Sequence, residues 1–207
     1  SAASDVYKRQ APHLGGRVIH PIKIVVSGAV GAGKTTLIQT LSETEVISTD
    51  VVASEDIGKD NTTIAFDFGT VQLGDDLLLL FGTPGQERFD FMWDVLCQGA
   101  MGLLLLVSGT RPGDFRHSRH ILEFIRTRYP LPYLLGVTHQ DRPGAWAPED
   151  VAEYFDTPPG RVIGLDATDP AACRRAVSDL LTILATPAMA DVPPVPALYP
   201  VQPPEAL

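Results

Sequence analysis

A chain of 207 residues has room for one α/β domain with a single substantial core, and little room for a second. Its formal net charge of −9 and pI near 4.9 argue against broad binding to nucleic acid or to an anionic membrane surface. No run approaches the roughly eighteen apolar residues that span a bilayer, no signal-peptide core follows the N-terminus, and Glu205-Ala206-Leu207 lacks a prenylatable cysteine, so no membrane anchor is expected.

The first ten residues, SAASDVYKRQ, have no periodic pattern and read as a scar joined to the protein, so residues 1–19 are set apart as a non-native or flexible segment. Ile22-Lys23-Ile24-Val25-Val26-Ser27 then reads as a buried strand, and Thr35 to Leu41 has helical spacing. Between them Gly28-Ala29-Val30-Gly31-Ala32-Gly33-Lys34-Thr35 has four free positions between a glycine and Gly-Lys-Thr, the pattern of a phosphate-binding loop, in the strand-to-helix context its mechanism requires. Glycines 28, 31 and 33 let successive N–H groups of the loop, Val30 and Ala32 included, face a phosphate, and the helix N-terminus at Lys34, Thr35 and Thr36 attracts the same charge. In this pattern Lys34 places a point charge on the β- and γ-phosphates, and the Thr35 hydroxyl ligates Mg²⁺. The expected ligand is a nucleoside triphosphate.

Ser42 to Asn61 is polar and acidic without steady period, and reads as a long functional loop. Thr63 to Val71 alternates, Gly74-Asp75 makes a turn, and Leu77 to Phe81 is continuously apolar, which predicts a half-exposed strand hairpinned to a buried one. Further strands are expected at 102–107, 134–138 and 162–165, with helices near 88–98, 114–128, 148–155 and 170–185. Such alternation implies a doubly wound, mostly parallel six-stranded sheet with helices on both faces and ligand loops at the carboxyl ends of its strands. From Thr186 the chain turns Ala- and Pro-rich, and 186–207 reads as a disordered tail or as a polyproline ligand for a partner. Cys97 and Cys173 each lie in an apolar helical pattern, which predicts reduced core thiols of a cytoplasmic protein.

On the helix near 88–98, Phe89, Met92, Trp93 and Leu96 form a core stripe, with Phe91 and Val95 off it as either a partner face or a packing surface. Arg111, Arg116, Arg119, Arg126 and Arg128 make the 114–128 region the basic part of an acidic chain, read as a solvated face.

Phe81-Gly82-Thr83-Pro84-Gly85-Gln86-Glu87 after a buried strand resembles the switch II signature of the Ras-like small GTPases, so residues 20–185 are expected to form a small-GTPase G domain. The resemblance implies that the Gly85 N–H senses the γ-phosphate and that Gln86 orients the attacking water. Phosphoryl transfer suits that role, because it needs positioning more than covalent chemistry. Thr62-Thr63-Ile64-Ala65-Phe66-Asp67-Phe68 resembles switch I of the Arf-like branch, which implies Thr63 as a second Mg²⁺ ligand and 42–61 as the moving element.

The family's Asn-Lys-x-Asp base motif corresponds to Thr138-His139-Gln140-Asp141. An Asp141 carboxylate accepts from N1–H and the exocyclic amine of guanine, which favours GTP over ATP, while Thr138 replaces only part of an asparagine's bonding and His139 offers a ring in place of a lysine stem. Ala167 falls where the family places a backbone N–H on the base oxygen.

Gly82 departs from the aspartate usual in Ras-like proteins, which reaches Mg²⁺ through water. Asp67 could take over that duty, but on an alternating strand it reads more simply as solvent-facing and is not counted as a ligand. Together these motifs resemble a bacterial group of Ras-like GTPases, including those of conservon clusters, distantly related to the gliding-motility GTPases. The resemblance implies a slow, Mg²⁺-dependent GTPase switch with a Roadblock-type regulatory partner. The rivals are a protein that holds nucleotide without useful hydrolysis, and a P-loop ATPase or kinase.

Overall fold

The structure is a computed structural model that describes residues 13–14, 17–18, 21–42, 47–52, 63–86 and 91–186. Two short strands, β1 (His13–Leu14) and β2 (Arg17–Val18), pair antiparallel apart from the main sheet. The remainder of the expected N-terminal segment, and the expected tail beyond Thr186, lie outside the described residues.

The main sheet is built from β3 (Ile22–Ser27), β4 (Ile47–Val52), β5 (Thr63–Leu73), β6 (Asp76–Gly82), β7 (Gly102–Ser108), β8 (Tyr133–Thr138) and β9 (Val162–Gly164), in the order β4-β5-β6-β3-β7-β8-β9. Strands β6, β3, β7, β8 and β9 run parallel, while β5 is antiparallel to both β4 and β6. All six expected strands are present and the doubly wound class holds. A seventh, β4, lies inside the segment read as a loop, because a β-branched Ile-Ser-Thr-Asp-Val-Val run at a sheet edge needs only one partner strand and no hydrophobic alternation.

Helices α1 (Lys34–Leu41), α2 (Phe91–Cys97), α3 (Phe115–Arg128), α4 (Pro148–Tyr154) and α5 (Pro170–Ala185) follow the predicted spacing. The period-2 pleat of β3 divides its side chains between two cores. Ile24 and Val26 pack with Leu37, Ile38 and Leu41 of α1 and with Cys173, Ala176, Val177 and Leu180 of α5. Val25 faces the other way, into Trp93 and Cys97 of α2, Ile121, Leu122 and Ile125 of α3 and Val151 of α4. Each fully buried Leu or Ile contributes about 1.5–3 kcal/mol of transfer free energy, so α1 is held by its apolar face rather than by its eight-residue length.

Both cysteines are free and buried, and burial pushes each thiol up to about 11, so neither is a reactive thiolate at neutral pH. Of the expected core stripe Met92, Trp93 and Leu96 are buried, with Val95 exposed beside them, and Phe89 lies outside the described residues. On α3 Arg119 pairs with Glu123 at 2.9 Å, and Arg128 reaches Asp94 at 2.6 Å, so these cations serve exposed intramolecular pairs. No described helix is long and apolar enough to cross a membrane.

Candidate functional site

Strand β3 lies between β6 and β7, where the connections leave in opposite directions across the sheet, and such a switch point opens a crevice at the carboxyl ends of the strands. The loop 28–33 fills that position. Gly28 has φ +142°, and a Cβ on it would lie 2.1 Å from the Leu106 carbonyl oxygen of β7, so only glycine lets the loop turn so tightly against its neighbour. Gly33, with φ +98°, is the N-cap of α1 and has no side-chain cap. The first-turn N–H groups of α1 are thereby left for an anion.

Lys34 is buried and its ammonium donates to the carbonyls of Gly28 and Ala29, both at 2.8 Å. Burial lowers its pKa from 10.5 to about 8, partly opposed by the Asp67 carboxylate. The loop after β6 rests on the same groups: a Cβ on Gly85 would lie 2.7 Å from the Val30 nitrogen and 2.8 Å from Lys34 Nζ. Thr83 anchors that loop, its N–H donating to Val26 O at 2.9 Å and its hydroxyl 2.8 Å from that of Ser27. Gln86, next along, is exposed.

Asp67 corrects the sequence reading. It is half-buried, and its Oδ2 accepts a 2.5 Å hydrogen bond from the Thr35 hydroxyl. A Cβ on Gly82 would lie 2.9 Å from Ile38 Cδ1, 3.1 Å from Asp67 Cβ and 3.4 Å from its Oδ2, so Ile38 of α1 and Asp67 of β5 together fill the space that a side chain at 82 would need. Alternation along β5 gave no sign of this, because the face it assigns to Asp67 is solvent only until α1 lies beside it. A missing acid on β6 opposite an acid on β5 was the signal available. Thr63 opens β5 opposite Val52, and its side chain lies outside the described residues. Thr36 is exposed on the first turn of α1.

At the other end of the loop Thr138 is buried, its hydroxyl 3.0 Å from Ala32 O and 3.2 Å from Val107 O. His139 adopts φ +60°, with Nδ1 3.0 Å from the Ser108 hydroxyl and 3.1 Å from that of Thr138. Ala167 is buried against Gly33, 3.4 Å from where its Cβ would stand, and its carbonyl accepts from Thr40 at 2.8 Å. Asp166 accepts from the hydroxyl and N–H of Thr168 at 2.7 and 2.8 Å, which lowers its carboxyl pKa, while Asp141 stands exposed at the turn after β8. The structure thus brings Thr138 and Ala167 onto the phosphate loop, with His139 beside Thr138 and Asp141 exposed at the turn after β8.

The family described as "Conserved hypothetical ATP binding protein" matches residues 44–194, most of the chain. The chain belongs to that family. The match begins after the phosphate loop, so 28–35 stands on its own motif and geometry. Among curated relatives, an uncharacterized protein of Methanocaldococcus jannaschii is 28% identical over 58% of this chain and 71% of its own length. ADP-ribosylation factor-like protein 14 of Mus musculus is 32% identical, covering 64% of this chain and 66% of the relative, and the factor-like protein 15 of Bos taurus is 27% identical over 66% and 64%. The chain thus spans about two thirds of these Arf-like relatives. A solved structure of the Arl6 BBS3 small GTPase of Trypanosoma brucei with bound GppNp superposes with a TM-score of 0.62 at 16% identity, over 80% of this chain and 98% of that one. The family member therefore has a small-GTPase-like P-loop fold and is a nucleotide-binding protein.

Proposed function

We propose that the chain is a GTP-operated switch that hydrolyses GTP slowly to GDP and phosphate. The observation that carries this reading is Gly85 seated on the Val30 nitrogen and Lys34. Those groups belong to the phosphate-binding loop, so a terminal phosphate held there would lie beside Gly85, whose N–H could donate to it, and loss of that phosphate would be felt by the loop. In this reading Gln86 orients the attacking water. Gly28, Val30, Gly31, Ala32, Gly33 and Lys34 cradle the phosphates, Thr138, His139 and Ala167 flank the base, and Asp141 reads it. Mg²⁺ fits the hard oxygen donors beside Lys34: Thr35 and Thr63 would ligate it and Asp67 would supply the carboxylate missing at Gly82, the ion neutralising phosphate charge when bound.

The family's description speaks of ATP, whereas the carboxylate after β8 favours guanine, whose N1–H and amine are both donors. Reduced buried thiols suit the cytoplasm, and the sequence resemblance supports a Roadblock-type regulator as partner. Competition of GTP, GDP and ATP against labelled GDP, with and without Mg²⁺, tests the reading. GTP and GDP should displace the label at concentrations where ATP does not, and removing Mg²⁺ should speed release. Equal displacement by ATP would return the chain to the P-loop ATPases. Retention of nucleotide without hydrolysis, the other reading, drew its motive from Gly82; Asp67 beside Thr35 supports the first instead.

A further inference from the structure

We infer that Arg111, from the turn between β7 and α3, is an arginine supplied within the chain to the phosphates, so that hydrolysis does not wait on a partner's cation. This rests on the GTP-hydrolysing reading above. The guanidinium lies on the phosphate loop, where Nη1 donates to Val30 O at 2.9 Å, and it is braced by Asp114, whose Oδ2 is 3.0 Å from Nε. Those bonds use two of the five N–H donors of a guanidinium, and the side chain is 51% exposed, so donors remain for a ligand at the mouth of the site.

The surroundings are built to hold it there. Gly31 leaves its path clear: a Cβ at that residue would sit 2.6 Å from Nη1. The backbone is fixed by Arg111 N donating to Ser108 O and Asp114 N donating to Arg111 O, both at 3.0 Å, with Pro112 rigid between them. Val30 thus lies between two elements, with Gly85 close to its nitrogen and Arg111 holding its carbonyl. A phosphoryl group held on the loop would then be met by the guanidinium's remaining donors.

In the reaction the oxygen of water bonds to the γ-phosphorus as the bond to the β,γ-bridging oxygen breaks. The electron pair stays on the β-phosphate of GDP, and the proton of water ends on the released phosphate. Arg111 donates N–H groups to the oxygens that gain charge, and its gain is largest in the transition state. A lysine keeps the charge but loses the planar fork.

The test uses the full chain without a partner, as wild type, Arg111→Ala and Arg111→Lys. Single-turnover GTP hydrolysis, GDP affinity, thermal midpoint and binding of GDP with aluminium fluoride, a mimic of the transferring phosphoryl group, are measured. Both variants should lose hydrolysis and aluminium fluoride binding by roughly tenfold or more, while GDP affinity stays within about threefold. Arg111→Lys should also keep the wild-type thermal midpoint. If wild type hydrolyses GTP and Arg111→Ala does so at the same rate, or if Arg111→Ala loses GDP affinity as much as aluminium fluoride binding, Arg111 is a structural clamp and the inference is overturned. If wild type hydrolyses nothing, the hydrolytic reading itself has failed.

Discussion

The Thr35 hydroxyl donates a 2.5 Å hydrogen bond to Oδ2 of Asp67, joining the first turn of α1 to β5 across 32 positions of sequence. The contact puts a carboxylate at the end of the phosphate loop where Gly82 of β6 has none. Asp67→Asn should therefore weaken Mg²⁺-dependent retention of GDP by about tenfold, with little change when Mg²⁺ is chelated. Gly82→Asp should not restore that retention in the Asp67→Ala background, because its Cβ would lie 2.9 Å from Ile38 Cδ1 and 3.1 Å from a Cβ that alanine keeps. Nucleotide release with and without chelator reads both, and equal effects in the two conditions would remove Asp67 from the metal site.

Gln86→Leu should lower single-turnover GTP hydrolysis by roughly tenfold or more and leave GDP binding unchanged, since an apolar side chain can fill the space but cannot orient water. Equal rates for the two proteins would exclude Gln86 from the reaction.

Lys34 gives a signed dependence on pH. Its pKa of about 8 lies below the ordinary 10.5, so in the nucleotide-free protein the folded state resists protonation there. Stability should then rise as pH climbs from about 8 to about 10.5, where the unfolded chain still binds the proton and the folded chain has released it. A bound phosphate favours the ammonium, so nucleotide binding at pH 8 should take up about half a proton. Calorimetry in buffers of different ionisation enthalpy measures it, and no uptake at pH 8 would show that Lys34 is already fully protonated before nucleotide binds.

Gly28→Ala should destabilise the fold by about 3 kcal/mol or more, because its Cβ would meet the Leu106 carbonyl at 2.1 Å on a backbone at φ +142°. Gly74→Ala, at φ +62° with open space around it, should cost only about 1 kcal/mol. Denaturant midpoints of the pair separate steric collision from backbone strain.

The sequence determined by itself the elements that repeat a local rule. The buried strands at 22–27 and 102–108, the amphipathic faces of α3 and α5 and the glycine pattern of the phosphate loop follow from periodicity and from conformations that glycine permits. They determined the doubly wound class and where a phosphate is expected. The edge strand β4 escaped, since one partner strand holds it without an alternating pattern.

What only the tertiary structure decided were relations between segments far apart in sequence: Asp67 filling the space beside Gly82, Gly85 resting on Lys34, and Arg111 lying over Gly31. A carboxylate on an alternating strand carries no local mark of what will lie beside it. Its meaning was set when α1 packed on β5, because burial and proximity belong to the folded arrangement of the chain and not to any stretch of it.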